Sequence, residues 1–428
     1  MRFPESVSAQ EPFLVDLPQK LKAVLAESKT LVLPNRLAAG GDFGEEAAAL
    51  HLVGHMARCL PRGYLGGLGL VSETALTYPD VMVDPLWYAS SRLLSSPHSP
   101  PLDLQSTLDP RSSKAREHHL ADPFADGVRL GHMGPDSFFT HPARPLSYAM
   151  ALGSLAEARP PGLQVDDRVR PEGRFEELFS SLVERLDVLR HLKPLERDRV
   201  SVRWFCEEFA HLTRELYLNA TQHGQLTAAG RAIPRAFRAV LVKACDLDLQ
   251  RLARGDVFTA MLGAFERRTR ARIQSRQRGN VWQVPPAVPL LEISIIDNGP
   301  GLVRTWLAAQ ALKETGSLLE PDLTLVSAAD EQRMVNECFE KHRTTKSVRG
   351  AGIGLFDVHR IMKRLGGIVI VRTSRIRVVQ DYSRPPADGG IPRLENWDAQ
   401  RPALPEISGT CVTLLLPLVP VADANGDD

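Results

Sequence analysis

The segment Leu290-Leu291-Glu292-Ile293-Ser294-Ile295-Ile296-Asp297-Asn298-Gly299-Pro300-Gly301 decides the fold expected for this chain. Its apolar, β-branched first part predicts a buried strand. The acid and the glycines that follow predict a sharp turn, which would place the Asp297 carboxylate at the mouth of a pocket. Many folds could use such a turn, so its meaning depends on two further segments, at 215–224 and 341–355.

Length and composition set the frame for these segments. A chain of 428 residues that is 43% hydrophobic can bury one full core, and we expect two domains. The net charge of +1 gives no whole-molecule field that would imply nucleic acid or an acidic membrane. The 5 cysteines are odd in number and disfavour a disulfide framework. With no run near the roughly 18 apolar residues of a membrane span, we expect a soluble, cytoplasmic protein without membrane contact.

The first part of the chain, 1–172, is predicted to be an α/β domain of unknown fold, with a strand over 30–34 and a helix over 45–60. His51, His55 and Cys59 share one face of that helix. They could bind a metal ion or be polar residues of an amphipathic helix. The second interpretation is favoured because no fourth ligand lies nearby in the sequence.

Two segments separate this part from the rest of the chain. The residues from about 78 to 172 are rich in proline, which disfavours long helices there. An apolar stripe at helical spacing predicts a connecting amphipathic helix over 173–195. That helix could cover a core, or it could pair with a second copy and make a homodimer.

The next segment places three polar side chains on one helix face. A helix is predicted over 206–223, and Glu215, Asn219 and His223 lie one turn apart on it. In this arrangement the acid can serve as a general base, the amide as a metal ligand, and the imidazole as a hydrogen-bond donor to a phosphate. A polar face in contact with water would show the same pattern.

A second helix, predicted over 248–278, is strongly basic. Eight arginines lie from 251 to 278, against two acids. Such a helix could contact nucleic acid or an acidic partner protein. Solvated arginine-rich helices are common, so we favour the interpretation without nucleic acid.

The third segment is a glycine-rich loop that leads into a helix over 356–365. Gly350, Gly352 and Gly354 stand at alternate positions, which lets the backbone approach a phosphate at a helix start. Strands are predicted over 366–371 and 409–417, and the polar tail 421–428 is predicted to be disordered.

Taken in order, these motifs resemble the Bergerat ATP-binding fold of the GHKL superfamily, which includes gyrase, heat-shock-90 chaperones, histidine kinases and mismatch-repair ATPases. The motifs are ExxxNAxxHG on a helix, DNGPG after a strand, TTK with GAGIGL before a helix, and GT opening a last strand. The resemblance covers about 200–417. It implies an α+β sandwich over 196–420, with an insertion at about 225–288, whose mixed, mostly antiparallel sheet is covered by helices on one face. It also implies ATP and Mg²⁺ as cofactors.

The resemblance gives a role to each matching residue. Asn219 would bind the magnesium ion, Glu215 would orient or deprotonate an attacking water, and His223 would reach a phosphate. Asp297 would accept a hydrogen bond from the adenine amino group, and Thr410 would share an ordered water with it. The other residues expected to bind the nucleotide are Gly299, Gly301, Arg343, Thr345, Lys346, Gly350, Gly352, Ile353, Gly354 and Leu355. The segment 302–349 would be a mobile lid.

Three functions are compatible with these motifs. The first is an ATPase or a kinase that transfers a phosphoryl group to a partner protein, either a regulator or a phosphoacceptor. The motif wording is similar to that of anti-sigma-factor serine kinases, and the missing His-Glu/Asp-x-x-x-Pro box disfavours an orthodox histidine kinase. The second is a non-catalytic switch that ATP closes. The third, a nucleic-acid-directed ATPase, rests on the basic helix alone.

Overall fold

The structure is a computed structural model in which helices and strands alternate along the chain. It describes residues 1–4, 7–26, 30–34, 43–60, 68–72, 86, 89–90, 94, 139–141, 144–152, 199–224, 226–233, 236–247, 257–276, 287–340, 354–384 and 393–418. The described helices are α1 Val7–Val15, α2 Leu17–Ala26, α3 Glu45–Cys59, α4 Arg199–His223, α5 Val257–Arg276, α6 Leu302–Thr315, α7 Ala328–Cys338 and α8 Gly354–Leu365, with a 3-10 turn at Leu323–Leu325. The described strands are β1 Thr30–Leu33, β2 Gly69–Ser72, β3 Phe139–His141, β4 Arg144–Leu152, β5 Arg238–Leu247, β6 Val288–Asp297, β7 Ile368–Ser374, β8 Ile376–Asp381, β9 Glu395–Asn396 and β10 Ile407–Pro417.

The main sheet has eight strands in the order β3-β4-β5-β6-β10-β7-β8-β9. Every neighbouring pair in it is antiparallel. The expected α+β architecture is therefore confirmed, whereas the expectation of a mixed sheet is wrong. The only parallel pair among the described strands is β1 with β2, which form a separate two-stranded sheet.

Strand β6 lies near the middle of the main sheet, and all its residues are buried. It pairs with β5 on one side and with β10 on the other. This agrees with the buried strand that the apolar run predicts. A strand that is buried on both of its faces needs cover from both sides.

Helices cover both faces of the sheet, so the expectation that they cover one face is wrong. On the first face, Val240 and Val242 of β5 belong to the core that α4, α6, α7 and α8 share. On the second face, Ala239 and Leu241 pack with α1, α2 and α3. Helix α5 covers the rest of this second face through Phe265. The physical reason is that β5 is apolar at successive positions, so both of its faces must leave water.

Buried charged groups lie on the second face between its apolar clusters. The Lys243 ammonium is 3.6 Å from the Glu46 carboxylate and 3.7 Å from that of Glu292. Further along the sheet, Glu11 of α1 lies 2.9 Å from the Arg377 guanidinium and 3.6 Å from that of Arg372. These ion pairs join the first part of the chain to strands that come much later in the sequence.

The first part of the chain therefore contributes to the main sheet and to its core. Strands β3 and β4 fall in the proline-rich segment and continue the sheet beyond β5. Strand β5 and helix α5 lie inside the segment interpreted as an insertion, 225–288. The domain boundaries stay predictions. The connecting helix 173–195 and the tail 421–428 lie outside the described residues.

The segment expected to form a lid is helical over most of its described length. Helices α6 and α7 and the 3-10 turn occupy it up to residue 340. Ser327 caps the start of α7 by accepting a hydrogen bond from the Asp330 backbone at 3.1 Å. Within the described ranges, none of the helices combines the length and the apolar character that crossing a membrane requires.

Candidate functional site

The end of β6 holds a buried carboxylate, that of Asp297. The Gly299 backbone N–H donates to its Oδ1 at 2.8 Å, and Thr410, which lies opposite Asp297 in β10, donates a second backbone hydrogen bond. Burial raises the pKa of Asp297 to about 7, while these hydrogen bonds and the charges of Arg238 and Arg58 oppose the rise. The carboxylate is thus desolvated and held in one orientation, as a specific hydrogen-bond acceptor should be.

The last turn of α4 contacts this turn directly. A Cβ atom added to Gly299 would lie 2.7 Å from the His223 carbonyl oxygen and 2.8 Å from Gly224 Cα. A Cβ on Gly224 would in turn lie 3.1 Å from Asp297 Cβ. Only glycines allow the two backbones to approach so closely. The first and second motifs, far apart in sequence, therefore meet at Asp297.

Gly301 occupies a second tight position at the start of α6. Its φ of +82° favours glycine, and an added Cβ would lie 2.6 Å from Thr373 Oγ1 and 2.8 Å from the Gly409 carbonyl oxygen. Thr373 donates to that carbonyl at 3.0 Å and accepts a hydrogen bond from the Leu302 backbone at 3.1 Å. Sequence reasoning missed Thr373, whose position opposite Thr410 depends on a strand pairing that no local motif reveals.

The polar face predicted on α4 is present. Glu215, Asn219 and His223 are all half-buried and lie one turn apart on the same helix. Arg214 donates a hydrogen bond to Glu215 Oε1 at 2.7 Å. This ion pair was also missed, because adjacent residues on a helix do not ordinarily face each other.

Helix α8, which follows the glycine-rich loop, packs along α4. His211 Nε2 lies 3.2 Å from Asp357 Oδ2, and Glu208 accepts a hydrogen bond from Arg364 at 3.0 Å. Helix α8 begins at Gly354, and Leu355 packs against the main core. The loop thus ends beside the helix that carries Glu215 and Asn219. The other residues predicted to bind phosphate lie outside the described residues, and their roles stay predictions: Arg343, Thr345, Lys346, Gly350, Gly352 and Ile353.

The side chain of Asn298, which lies between Asp297 and Gly299, faces the second side of the sheet, where it binds Phe237 and helix α3. Its side chain accepts from the Phe237 backbone N–H at 2.7 Å and donates to the Gly54 carbonyl of α3 at 3.0 Å. Arg58, also on α3, donates to the Asn298 carbonyl at 3.0 Å. No sequence signal pointed to Gly54 or Arg58, since their partners lie about 240 residues away.

The histidines of α3 bind the segment before Thr410. His51 Nε2 lies 2.9 Å from the Ser408 carbonyl oxygen, and the Ser408 backbone N–H donates to His55 Nδ1 at 2.9 Å. Burial lowers the pKa of each imidazole to about 3, so both are neutral. Among the described residues, no group of three or more His, Cys, Asp or Glu could hold a metal ion.

Several arginines of α5 bind the chain itself. Arg268 pairs with Asp381 and donates to Ser383, and Arg270 pairs with Glu266. Arg272 donates to the Leu365 carbonyl at 3.2 Å. These contacts give the basic residues a structural role that needs no nucleic acid.

The site therefore consists of a buried acid at a strand end, a glycine-lined junction with α4, and a half-buried polar face that continues along α4 towards α8. Comparison of the whole chain with protein-family models, with curated proteins and with solved structures finds no match, so the interpretation of this site depends on its own geometry.

Proposed function

We propose that the chain binds Mg-ATP in a Bergerat-type site, and that it hydrolyses the nucleotide or transfers its phosphoryl group to a partner protein. The observation that carries the proposal is the meeting of three distant segments at Asp297: the last turn of α4, the turn after β6, and Gly409-Thr410. In the proposed order of motifs, these are the segments that should surround the base of the nucleotide.

The residues at this junction fit a nucleotide. Asp297 offers a fixed acceptor for an exocyclic amino group, and Gly299 and Gly301 let α4 and the segment at Gly409 approach this acceptor closely. Along α4, the Asn219 amide oxygen is of the type that Mg²⁺ accepts. Mg-ATP, when bound, supplies the phosphoryl group.

Glu215 distinguishes an enzyme from a binding module. Its half-buried carboxylate can orient a water molecule and accept its proton, which is the task of a general base. A second function, a switch that ATP closes without turnover, needs no base, and in it the Arg214–Glu215 ion pair would serve only to fix the α4 side chains.

Nucleotide binding is tested first, by titrating the full chain with Mg-ATP in a calorimeter. We expect Asp297→Asn to lower the affinity about 100-fold, since one hydrogen bond to a charged group is lost. Far-UV circular dichroism should show an unchanged fold. Equal affinity of the variant and the wild type would refute the proposed site.

Turnover is tested with γ-labelled ATP and Mg²⁺. Phosphate release, or labelling of a partner, should fall about 100-fold or more in Glu215→Ala. Glu207→Ala is the matched control, because Glu207 is an exposed glutamate on the same helix, and its turnover should equal that of the wild type. Tight binding without any turnover in the wild type would instead support the switch.

A further inference from the structure

Helix α3 contacts both backbone segments that carry the base-binding groups, and it does so from the second face of the sheet. Gly54 and Arg58 bind Asn298, which lies between Asp297 and Gly299. His51 and His55 bind Ser408, which precedes Gly409-Thr410. One helix therefore holds the two turns that must stay aligned for Asp297 and Thr410 to act on the same base.

The contact between α3 and the turn after β6 is tight. A Cβ atom added to Gly54 would lie 3.1 Å from Asn298 Cβ and 3.1 Å from Phe237 Cδ1. The Asn298 side chain is fully buried and bonds on both sides, to the Phe237 backbone and to the Gly54 carbonyl. A displacement of α3 by a few tenths of an ångström would therefore be transmitted to Asn298 and to the residues on either side of it.

The same helix belongs to the core of the first part of the chain. Ala49, Leu52 and Val53 are buried in a cluster that α1, α2 and β1 also form. Anything that shifts this cluster shifts α3 with it. The arrangement gives the first part of the chain a mechanical connection to the site on the opposite face.

We infer that α3 is the positioning element of the nucleotide site, and that through Gly54, His55 and Arg58 it couples nucleotide occupancy to the N-terminal segment 1–60. This inference rests on the proposed function, since it assigns the regulation of that same site. Gly54 and His55 are positioning residues, because they act through Asn298 and Ser408, whereas Arg58 acts both through Asn298 and through its charge on Asp297. Coupling between two binding sites is reciprocal. A partner that binds the segment 1–60 would therefore change the affinity for nucleotide by the same factor by which nucleotide changes the affinity for that partner.

The first test compares Gly54→Ala with Leu262→Ala in the full chain. Leu262 is a buried residue of α5 on the same face of the sheet, and the apolar cluster to which it belongs includes no residue of 297–301 or 408–410. We expect Gly54→Ala to weaken Mg-ADP binding about tenfold, the loss expected from about one misaligned hydrogen bond. Leu262→Ala should lower the melting temperature and leave the affinity unchanged. Wild-type affinity in a folded Gly54→Ala would overturn the inference.

The second test removes the charge of Arg58 and measures the pH dependence of Mg-ADP binding. It does not depend on whether Gly54→Ala folds. The charges that act on Asp297 are those of Arg238 from β5 and Arg58 from α3, and the Cys411 thiol of β10, which Asp297 influences, is neutral because burial raises its pKa to about 12. Removing the Arg58 charge should raise the pKa of Asp297, so in Arg58→Gln the acid limit of Mg-ADP binding should move to higher pH. Arg58→Lys should restore the wild-type profile, which a purely structural role for Arg58 would not do.

The third test measures hydrogen exchange with and without saturating Mg-ADP. The inference predicts slower exchange over 54–59 and over 408–410, with α5 unchanged. The inference is wrong, and the proposed function stands, if the wild type binds Mg-ADP but two results are negative. The first is that Mg-ADP does not slow hydrogen exchange in α3, and the second is that Arg58→Gln binds Mg-ADP with the pH profile of the wild type. If the wild type binds no Mg-ADP, the proposed function itself fails.

Discussion

The two faces of the main sheet differ in where they keep their charges. The first face is an apolar wall, with Val240, Ile293 and Val412 against the helices, and its site-forming residues collect at one end of β6. The second face buries charged groups within its interior, such as Lys243 between Glu46 and Glu292. On the second face, buried charged side chains pair across the packed elements, whereas Asp297 at the end of β6 is held by backbone hydrogen bonds.

The largest effect should come from breaking a buried charge group on the second face. Lys243→Met would remove the ammonium that lies within 3.7 Å of two buried carboxylates, those of Glu46 and Glu292. We expect a loss of about 3–5 kcal/mol in the free energy of unfolding, because an uncompensated buried charge remains. Urea unfolding followed by circular dichroism measures it.

A double variant sharpens this test. Lys243→Met with Glu292→Met removes one charge of each sign from neighbouring positions of β5 and β6. We expect it to recover much of the lost stability, since a buried ion pair can often be replaced by apolar residues. A double variant no more stable than Lys243→Met would show that the side chains matter here for their packing and not for their charge.

The next effect is a pH dependence that originates on the second face. The pKa values of His51 and His55 are about 3 in the folded protein, below the ordinary 6.5. Below pH 6.5 the unfolded chain binds protons that the folded chain cannot, so stability is full above that pH and falls towards about pH 3. For each of the two histidines, the free energy of unfolding should fall by about 1.4 kcal/mol per pH unit. Urea unfolding between about pH 7 and about pH 5 should show it, with a shallower slope in His55→Gln. An equal slope in both proteins would contradict the assignment.

The smallest effect belongs to the site on the first face, and it has the opposite sign. The pKa of Asp297 is raised from 3.8 to about 7, so its burial costs stability as the pH rises through that interval. On the scale of about 1.4 kcal/mol per pH unit, the charged carboxylate costs about 4 kcal/mol at about pH 8. Asp297→Asn should recover only part of this, a net gain of about 1 kcal/mol in the free energy of unfolding, because its amide NH2 cannot accept one of the two backbone hydrogen bonds that the carboxylate accepts. The gain should shrink on acidification. Asp246→Asn, at an exposed position of β5, is the control and should change stability by less than about 0.5 kcal/mol. A destabilised Asp297→Asn would show that the carboxylate serves the fold rather than a ligand.

Local patterns predicted the first face well. The buried strand before Asp297, the polar helix face of Glu215, Asn219 and His223, and the helix after the glycine-rich loop are all present. Each depends on periodicity or on glycines within a short segment, which a sequence displays directly. The chemistry assigned to these residues stays a prediction.

The second face could not be predicted in this way. Gly54, Arg58 and Asn298 meet only because α3 packs across strands more than 180 residues later in the chain, and no local pattern encodes such a pairing. The expected one-sided sheet failed for the same reason. The sequence predicts both the buried strand β6 and a helix at 45–60, but it contains no local signal that this helix packs on the second face of the sheet.

Strand β6 also constrains how the length of this chain can vary. Asp297 lies opposite Arg238 on one side and Thr410 on the other, so both registers are fixed at once. A one-residue slip of β6 would turn Glu292 to the apolar face and Ile293 to the charged one, and would put Asn298 in the place of Asp297. An insertion or deletion within β6 forces such a slip on the residues to one side of it. An exchange of Ile293 for another apolar residue would do none of this. Across related sequences, we therefore expect the number of residues in this strand to vary less than their identities.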